Sequence, residues 1–339
     1  MKFLKWFGVI LLILIIVYFL GPRPSAPKYT LDLPSIPSAP QELEQFIQKH
    51  ESVQKLKPDN EARIIWYDDS LRQKTEYAIV YLHGFSASQE EGDPVHYQIA
   101  QKFGCNLYLS RLSEHGVDTS DAMATLTADK MWNSAKEAYA IGKQLGKKVI
   151  LMGCSTGGSL ALKLAAEYPE IHSLFLLSPN IAINDGAAWI LNNHWGLQAA
   201  HLIQGKYNTS KDTSAIYKQY WHSKYRMESA VELEEFLETS MKSSVFEKVK
   251  QPVLLLYYYK DEEHQDPVVK VSAMKRMFRQ LGTAPDLKKE VAIPNAGDHV
   301  IGSYIKSKDV KRVEDECEKF ATGILKLQYA NKPGEIKTP

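Results

Sequence analysis

The sequence predicts an α/β fold: a mostly parallel central sheet with helices on both faces and a helical cap inserted late in the chain. Three observations predict it. From Ala62 onward, short apolar runs alternate with helical stretches. The pentapeptide Gly153-Cys154-Ser155-Thr156-Gly157 lies between one such run and the helical stretch that starts at Gly158. The segment from Asn180 to about Val249 breaks the rhythm and shows no clear strand. Strands separated by helices must pair in parallel, and a parallel sheet needs helices on both faces to stay dry.

The chain opens with Lys2 and Lys5 and an almost purely aliphatic run through Leu20. As a helix, Leu4 to Leu20 spans about 25 Å, slightly short of a ~30 Å hydrocarbon core. The expectation is a single-pass transmembrane anchor over residues 1–21, so that the membrane is a partner. Lys2 and Lys5 would stay in the cytoplasm and the remaining domain would lie on the other side. The alternative is secretion after signal cleavage. It lacks an A-x-A pattern near Tyr18–Pro22, although Ser25-Ala26 follows. Residues 22–40 carry six prolines, a density no helix or sheet interior tolerates, and are expected to form an extended stalk. Residues 41–179 form the first part of the core. They begin with an amphipathic helix marked by Leu43, Phe46, Ile47, Val53 and Leu56.

Strands are expected at 62–67, 77–82, 106–109, 149–152, 173–177, 253–259 and 287–293. Helices are expected at Asp129–Leu145 and Gly158–Tyr168. Residues 180–249, rich in Trp, Tyr, His and Leu, form the cap. Residues 250–330 complete the core, and 331–339 form a tail. With 339 residues, 44% of them hydrophobic, the chain can bury one large core with an insertion. Forty-one basic against 40 acidic residues leave no nucleic-acid footprint. Cys105, Cys154 and Cys317 lie far apart, with no spacing for a zinc site or a disulfide framework. Cys154 is expected to be a small buried packing residue.

A G-x-S-x-G pattern arises by chance in roughly one chain in ten of this length, with Gly and Ser each near ~7% of average usage. Between a strand and a helix it acquires a mechanism. The serine sits on a sharp strained turn that exposes its hydroxyl, and Gly153 and Gly157 let strand and helix pass closely. Ser155 is therefore the candidate nucleophile. A serine hydroxyl needs a base, and the base needs an orienting acid. After this kind of turn the chain order is serine, acid, histidine. Asp261, first after the strand at 253–259, is the chosen acid; Asp266 is the runner-up and Glu262 the third. His299, in the loop after the last strand, is the base, and Asp298 beside it structures that loop. Two backbone N–H donors should hold the oxyanion: Thr156, next to the nucleophile, and Phe85, freed by Gly84 after the strand at 77–82. His83 braces that loop. Glu114-His115-Gly116 follows the next strand, without an assigned role.

The set H-G-F, G-C-S-T-G-G, K-D and G-D-H-V, in this order, resembles the α/β-hydrolase superfamily. Within it, the sequence looks most like the carboxylesterase and monoacylglycerol-lipase-like branch, over roughly Ile64 to Leu325. The resemblance implies a Ser155–Asp261–His299 triad, Phe85 and Thr156 as oxyanion donors, a cap between strands, and no metal or cofactor. The expected activity is serine-dependent hydrolysis of a small-molecule carboxylic ester, with an apolar acyl group suggested by the aromatic cap. The same triad also serves thioesterases, amidases and aminopeptidases. An aminopeptidase needs an anion for the substrate amine, for which Glu232, Glu234 and Glu235 are candidates. A non-catalytic binding protein on this scaffold would be missing a triad member, and none is missing here.

Overall fold

The computed structural model describes residues 2–330; the tail expected at 331–339 lies outside the described residues. Its elements, in chain order, are α1 (Lys2–Phe19), α2 (Pro40–Glu51), β1 (Arg63–Ile65), β2 (Thr75–Leu82), α3 (Val95–Lys102), β3 (Asn106–Leu109), α4 (Ala128–Leu145), β4 (Gly146–Cys154), α5 (Thr156–Glu167) and β5 (Ser173–Leu177). Then follow α6 (Gly196–Gln204), β6 (Tyr207–Thr209), α7 (Ala215–Tyr220), β7 (Lys224–Arg226), α8 (Met227–Ser240) and α9 (Ser243–Phe246). The chain closes with β8 (Val253–Tyr257), α10 (Val271–Gln280), β9 (Lys288–Ala292) and α11 (Val310–Gly323).

Seven strands form one sheet in the order β1-β3-β2-β4-β5-β8-β9. Only β1 runs antiparallel, against β3. The sheet is buried on both faces, which explains the near-continuous apolar strands. Ala78, Val80 and Leu82 of β2 join the core layer that contains α4 and α5. Ile79 and Tyr81, pointing the other way, join the layer that contains α3 and α11. From β2 the chain moves to one side to make β3, then crosses back to make β4 on the other side. The carboxyl ends of β2 and β4 therefore flank the point where winding reverses, the place where open α/β sheets form a crevice.

The insertion between β5 and β8 is mostly helical, but it also holds a small antiparallel ribbon of β6 and β7. Each ribbon strand is three residues long, too short for an alternating pattern to register in sequence.

Two expectations about the amino-terminal region need correction. No helix among the described residues is long and apolar enough to cross a membrane. The 18-residue α1 spans about 27 Å, and its uncharged part, Trp6–Phe19, only about 21 Å against a ~30 Å core. The expected anchor over residues 1–21, and the placement of the domain across a membrane, are not supported. The end of α1 instead touches the cap. Trp195 Nε1 donates to the Val17 carbonyl at 3.0 Å, and the Tyr18 and Phe19 rings meet His194 edge-on.

The proline-rich segment is extended, yet it is a strap bound to the core rather than a free stalk. The Lys28 and Tyr29 N–H groups donate to Asp129 in the first turn of α4. Trp132 Nε1 donates to the Thr30 carbonyl at 2.8 Å, and the Tyr168 hydroxyl to the Leu31 carbonyl. Tyr29 places its ring 3.9 Å from Lys163 Nζ and shares a 2.7 Å hydrogen bond with Thr239 on α8.

Candidate active site

Ser155 sits between β4 and α5 with φ 52° and ψ −121°, a strained conformation for a residue with a side chain. The turn is possible because of its glycines. A Cβ on Gly157 would lie 1.9 Å from the Leu82 carbonyl oxygen, and one on Gly153 would lie 2.5 Å from Gly157 backbone atoms. Neighbouring strands hold the turn in place. The Ser155 N–H donates to the Leu177 carbonyl at the end of β5, and its own carbonyl accepts from the Asn180 N–H, both at 3.0 Å. Thr156 is the first residue of α5, where amides have no partner within the helix.

The loop after β2 lies beside this turn. His83 is fully buried. Its Nε2 accepts the Leu112 N–H at 3.0 Å, so the proton resides on Nδ1, which donates to the Gly84 carbonyl at 2.9 Å. Burial, with His115 next to it, pushes the His83 pKa well below its ordinary value, so the ring is a neutral brace. Phe85 lines the same cavity as Ser155. His115 stands 5.0 Å from the His83 ring and is not part of the cavity wall.

His299 follows β9 and is 6% exposed. Its Nδ1–H donates to Asp266 Oδ2 at 2.6 Å. Burial lowers the pKa of the imidazole, but the Asp266 carboxylate, together with Glu91 and Asp298, offsets this and holds it above its ordinary value. Its other nitrogen, Nε2, is buried without a partner, and His299 shares the cavity with Ser155. The neighbouring Asp298 accepts the Val300 N–H at 2.9 Å and shapes the loop.

The acid at His299 is Asp266, not the expected Asp261. Strand β8 stops at Tyr257, two residues earlier than the apolar run suggests, and the chain makes a tight hairpin. Tyr259 bridges Gln265, the Lys260 N–H donates to the His264 carbonyl, and the Asp266 N–H returns to the Tyr258 carbonyl. Residues 260–264 loop outward, and Asp261, with its side chain 51% exposed, binds His264 there. Glu262 pairs with Tyr259 on the same exposed tip. Asp266 is 1% exposed, and its second oxygen accepts the Val268 and Val269 N–H groups at 2.8 and 3.0 Å.

Glu91 carries no assignment from the sequence. It is 2% exposed and lines the cavity with Ser155 and His299. Its carboxylate accepts the Gly84 N–H. Burial pushes its pKa up to about 7, against the pull of that N–H.

These residues open onto a cavity of about 510 Å³. Its walls are largely apolar, including Ile183, Leu191, Ala200, Trp221, Met227 and Val268, with most of the apolar surface supplied by the insertion. All three cysteines are buried and unpaired.

A family profile of serine aminopeptidases, S33, matches residues 74–301. No curated protein matches the chain. Among solved structures, one from the metagenome-derived lipolytic enzymes LipS and LipT superposes with a TM-score of 0.63 at 17% identity, covering 79% of this chain and 98% of that one. The Paleococcus ferrophilus monoacylglycerol lipase gives 0.52 at 16%, covering 75% and 98%. Est1E from Butyrivibrio proteoclasticus, with ferulic acid bound, gives 0.51 at 18%, covering 77% and 95%. At such identities the structures speak for the fold, whereas the profile covers most of the chain. The chain belongs to the S33 serine aminopeptidase family of α/β-hydrolases and is a serine hydrolase.

Proposed function

We propose that the protein hydrolyses carboxylic esters with apolar acyl groups through Ser155, His299 and Asp266. The observation that carries this reading is the 2.6 Å contact of His299 Nδ1 with Asp266, beside a buried, unpartnered Nε2 on the wall that also holds Ser155. Nδ1 must keep its proton to satisfy the carboxylate, so Nε2 presents a lone pair and can take the Ser155 proton. The Ser155 oxygen then attacks the acyl carbonyl. The N–H groups of Phe85 and Thr156 receive the negative charge as it forms on the carbonyl oxygen. His299 returns the proton to the departing alcohol, leaving an acyl-enzyme. Water, deprotonated by the same nitrogen, releases the acid and restores Ser155.

The apolar cavity supports an acyl chain of moderate length. Each buried methylene contributes about 0.8 kcal/mol, so chain length should be read in kcat/KM. The acidic residues considered for holding a substrate amine do not line this cavity. Glu232 accepts the Ala128 N–H, Glu235 binds Asn192, and Glu234 faces a separate cavity beside α9 and α10. Asp185 and Asp298 do line it, and the ester reading rests on the largely apolar wall.

The test is a panel of p-nitrophenyl esters from acetate to decanoate, with aminoacyl p-nitroanilides in parallel and Ser155→Ala as control. The expected result is ester turnover that peaks at an intermediate acyl length and is lost in the alanine variant. Faster turnover of the anilides than of every ester would overturn the ester reading. Equal rates for wild type and Ser155→Ala would overturn the mechanism.

A further inference from the structure

The mechanism above leaves one buried ionisable group at the site unused. Glu91 lies on a single helical turn, Gln89–Gly92, between the loop after β2 and helix α3. One arm of its carboxylate takes the Gly84 N–H. The Cys154 thiol at the end of β4 lies near it. Burial raises the Cys154 pKa well above the usual thiol range, so the sulfur keeps its proton. The space between these groups is full. A Cβ on Gly84 would lie 2.6 Å from a Glu91 oxygen and 2.9 Å from the Ser155 Cβ.

The turn that carries Glu91 is fixed from the other side by the loop that bears His299. Ser303 Oγ donates to the Glu90 carbonyl at 2.8 Å, and the Tyr304 N–H to the Asp93 carbonyl at 3.0 Å. His96 Nε2 donates to the Gln89 carbonyl at 2.9 Å. Gly84 immediately precedes Phe85, and Cys154 precedes Ser155 and Thr156 by one and two residues. The Glu91 carboxylate therefore ties the segment that carries Phe85 to a turn anchored on the His299 loop, beside the Ser155 turn that carries Thr156.

We propose that Glu91 is the positioning residue of the oxyanion site: its carboxylate holds the loop after β2 in place beside the Ser155 turn, and so sets the separation of the Phe85 and Thr156 N–H groups. This rests on Ser155 being the nucleophile. Glu91 itself touches no reacting atom. A hydrogen bond to a charged acceptor is stronger than a neutral one, and here it is buried, so the clamp holds without rearrangement during turnover.

The experiment compares Glu91→Leu, which fills the volume without an acceptor, with Glu91→Gln, whose amide oxygen can still take the Gly84 N–H. With p-nitrophenyl butyrate, Glu91→Leu should lose at least 30-fold in kcat with KM within about twofold. Glu91→Gln should recover to within about fivefold of wild type. Inhibition by a butyl trifluoromethyl ketone, which forms the oxyanion, should weaken in step with kcat/KM. Binding of the matching butyl amide should stay unchanged.

Hydrogen exchange at residues 83–86 provides a readout that needs no turnover, and it should quicken at least tenfold in Glu91→Leu. Unchanged exchange there would overturn the clamp even if the protein hydrolysed no ester. Equal kcat for Glu91→Leu and wild type, or Glu91→Gln as impaired as Glu91→Leu, would overturn the positioning role. Loss of activity in Ser155→Ala tests the underlying reading separately.

Discussion

Asparagine at position 266 separates the two acids that the sequence leaves in competition. In Asp266→Asn the atom that accepted the Val268 and Val269 N–H groups can remain an oxygen, so the loop keeps both bonds. The other atom becomes an NH₂ that faces His299 Nδ1 across the former 2.6 Å contact. Two donors cannot share that space, so Nδ1 must give up its proton and Nε2 must carry it. The ring then cannot accept the Ser155 proton. An equivalent replacement in a well-known triad costs about 10⁴-fold in kcat, which corresponds to about 5.5 kcal/mol of barrier.

The pH dependence should change with it. In the wild type, activity should fall as pH drops through the His299 pKa, because the protonated ring is no base. Asp266 holds that pKa above its ordinary value, so the acid limb of kcat/KM should lie above about 6.5. Without the carboxylate, any residual activity should have its limb at lower pH. Asp261→Asn removes only an exposed contact with His264, and kcat should stay within about twofold. The assay is initial-rate hydrolysis of p-nitrophenyl butyrate between pH 5 and 9, normalised by active-site titration with a fluorophosphonate. A larger loss in Asp261→Asn than in Asp266→Asn, or more than a tenth of wild-type kcat in Asp266→Asn, would refute the reasoning.

Other consequences can be measured in the same way. The Glu91 pKa is raised from 4.5 to about 7, so the folded state binds more protons than the unfolded chain in that window and loses stability as pH rises through it. Between pH 4.5 and 8 the wild type should lose on the order of 3 kcal/mol relative to Glu91→Gln in urea melts. Gly157→Ala drives a methyl group into the Leu82 carbonyl and should destabilise by more than about 3 kcal/mol, seen as a lower urea midpoint. Tyr29→Ala removes the Thr239 hydrogen bond and the contact with Lys163, and should cost about 3 kcal/mol while leaving kcat unchanged. Ala200→Phe narrows the cavity wall and should lower kcat/KM for decanoate at least tenfold more than for acetate.

The parallel sheet was legible because a strand buried on both faces leaves an unbroken apolar run; β3 and β5 have the bounds expected from sequence. The same signal misled at β8. Tyr258 and Tyr259 extend the apolar run, yet they belong to the hairpin, where their backbone pairs with the returning chain. Counting the acid from an overextended strand selected Asp261. The prolines correctly excluded regular structure from residues 22–39, but they say nothing of Tyr29, whose partners lie about a hundred or more positions away. Glu91 was invisible for a similar reason. A glutamate between Glu90 and Gly92 gives no local sign of burial, which arises only when the loop after β9 folds over it.

The hairpin after β8 also makes the chain length in this region negotiable. Because Tyr259 and Gln265 close the excursion at its base, the position of Asp266 is set by backbone bonds to Tyr258 and not by how many residues lie between. The exposed tip at 260–264 can be shortened or lengthened at small entropic cost, roughly 0.6 kcal/mol for each doubling of a flexible loop. It is thus a point where a peptide tag or a whole domain should be tolerated in the middle of the protein, a few residues from Asp266, with the contact to His299 left intact.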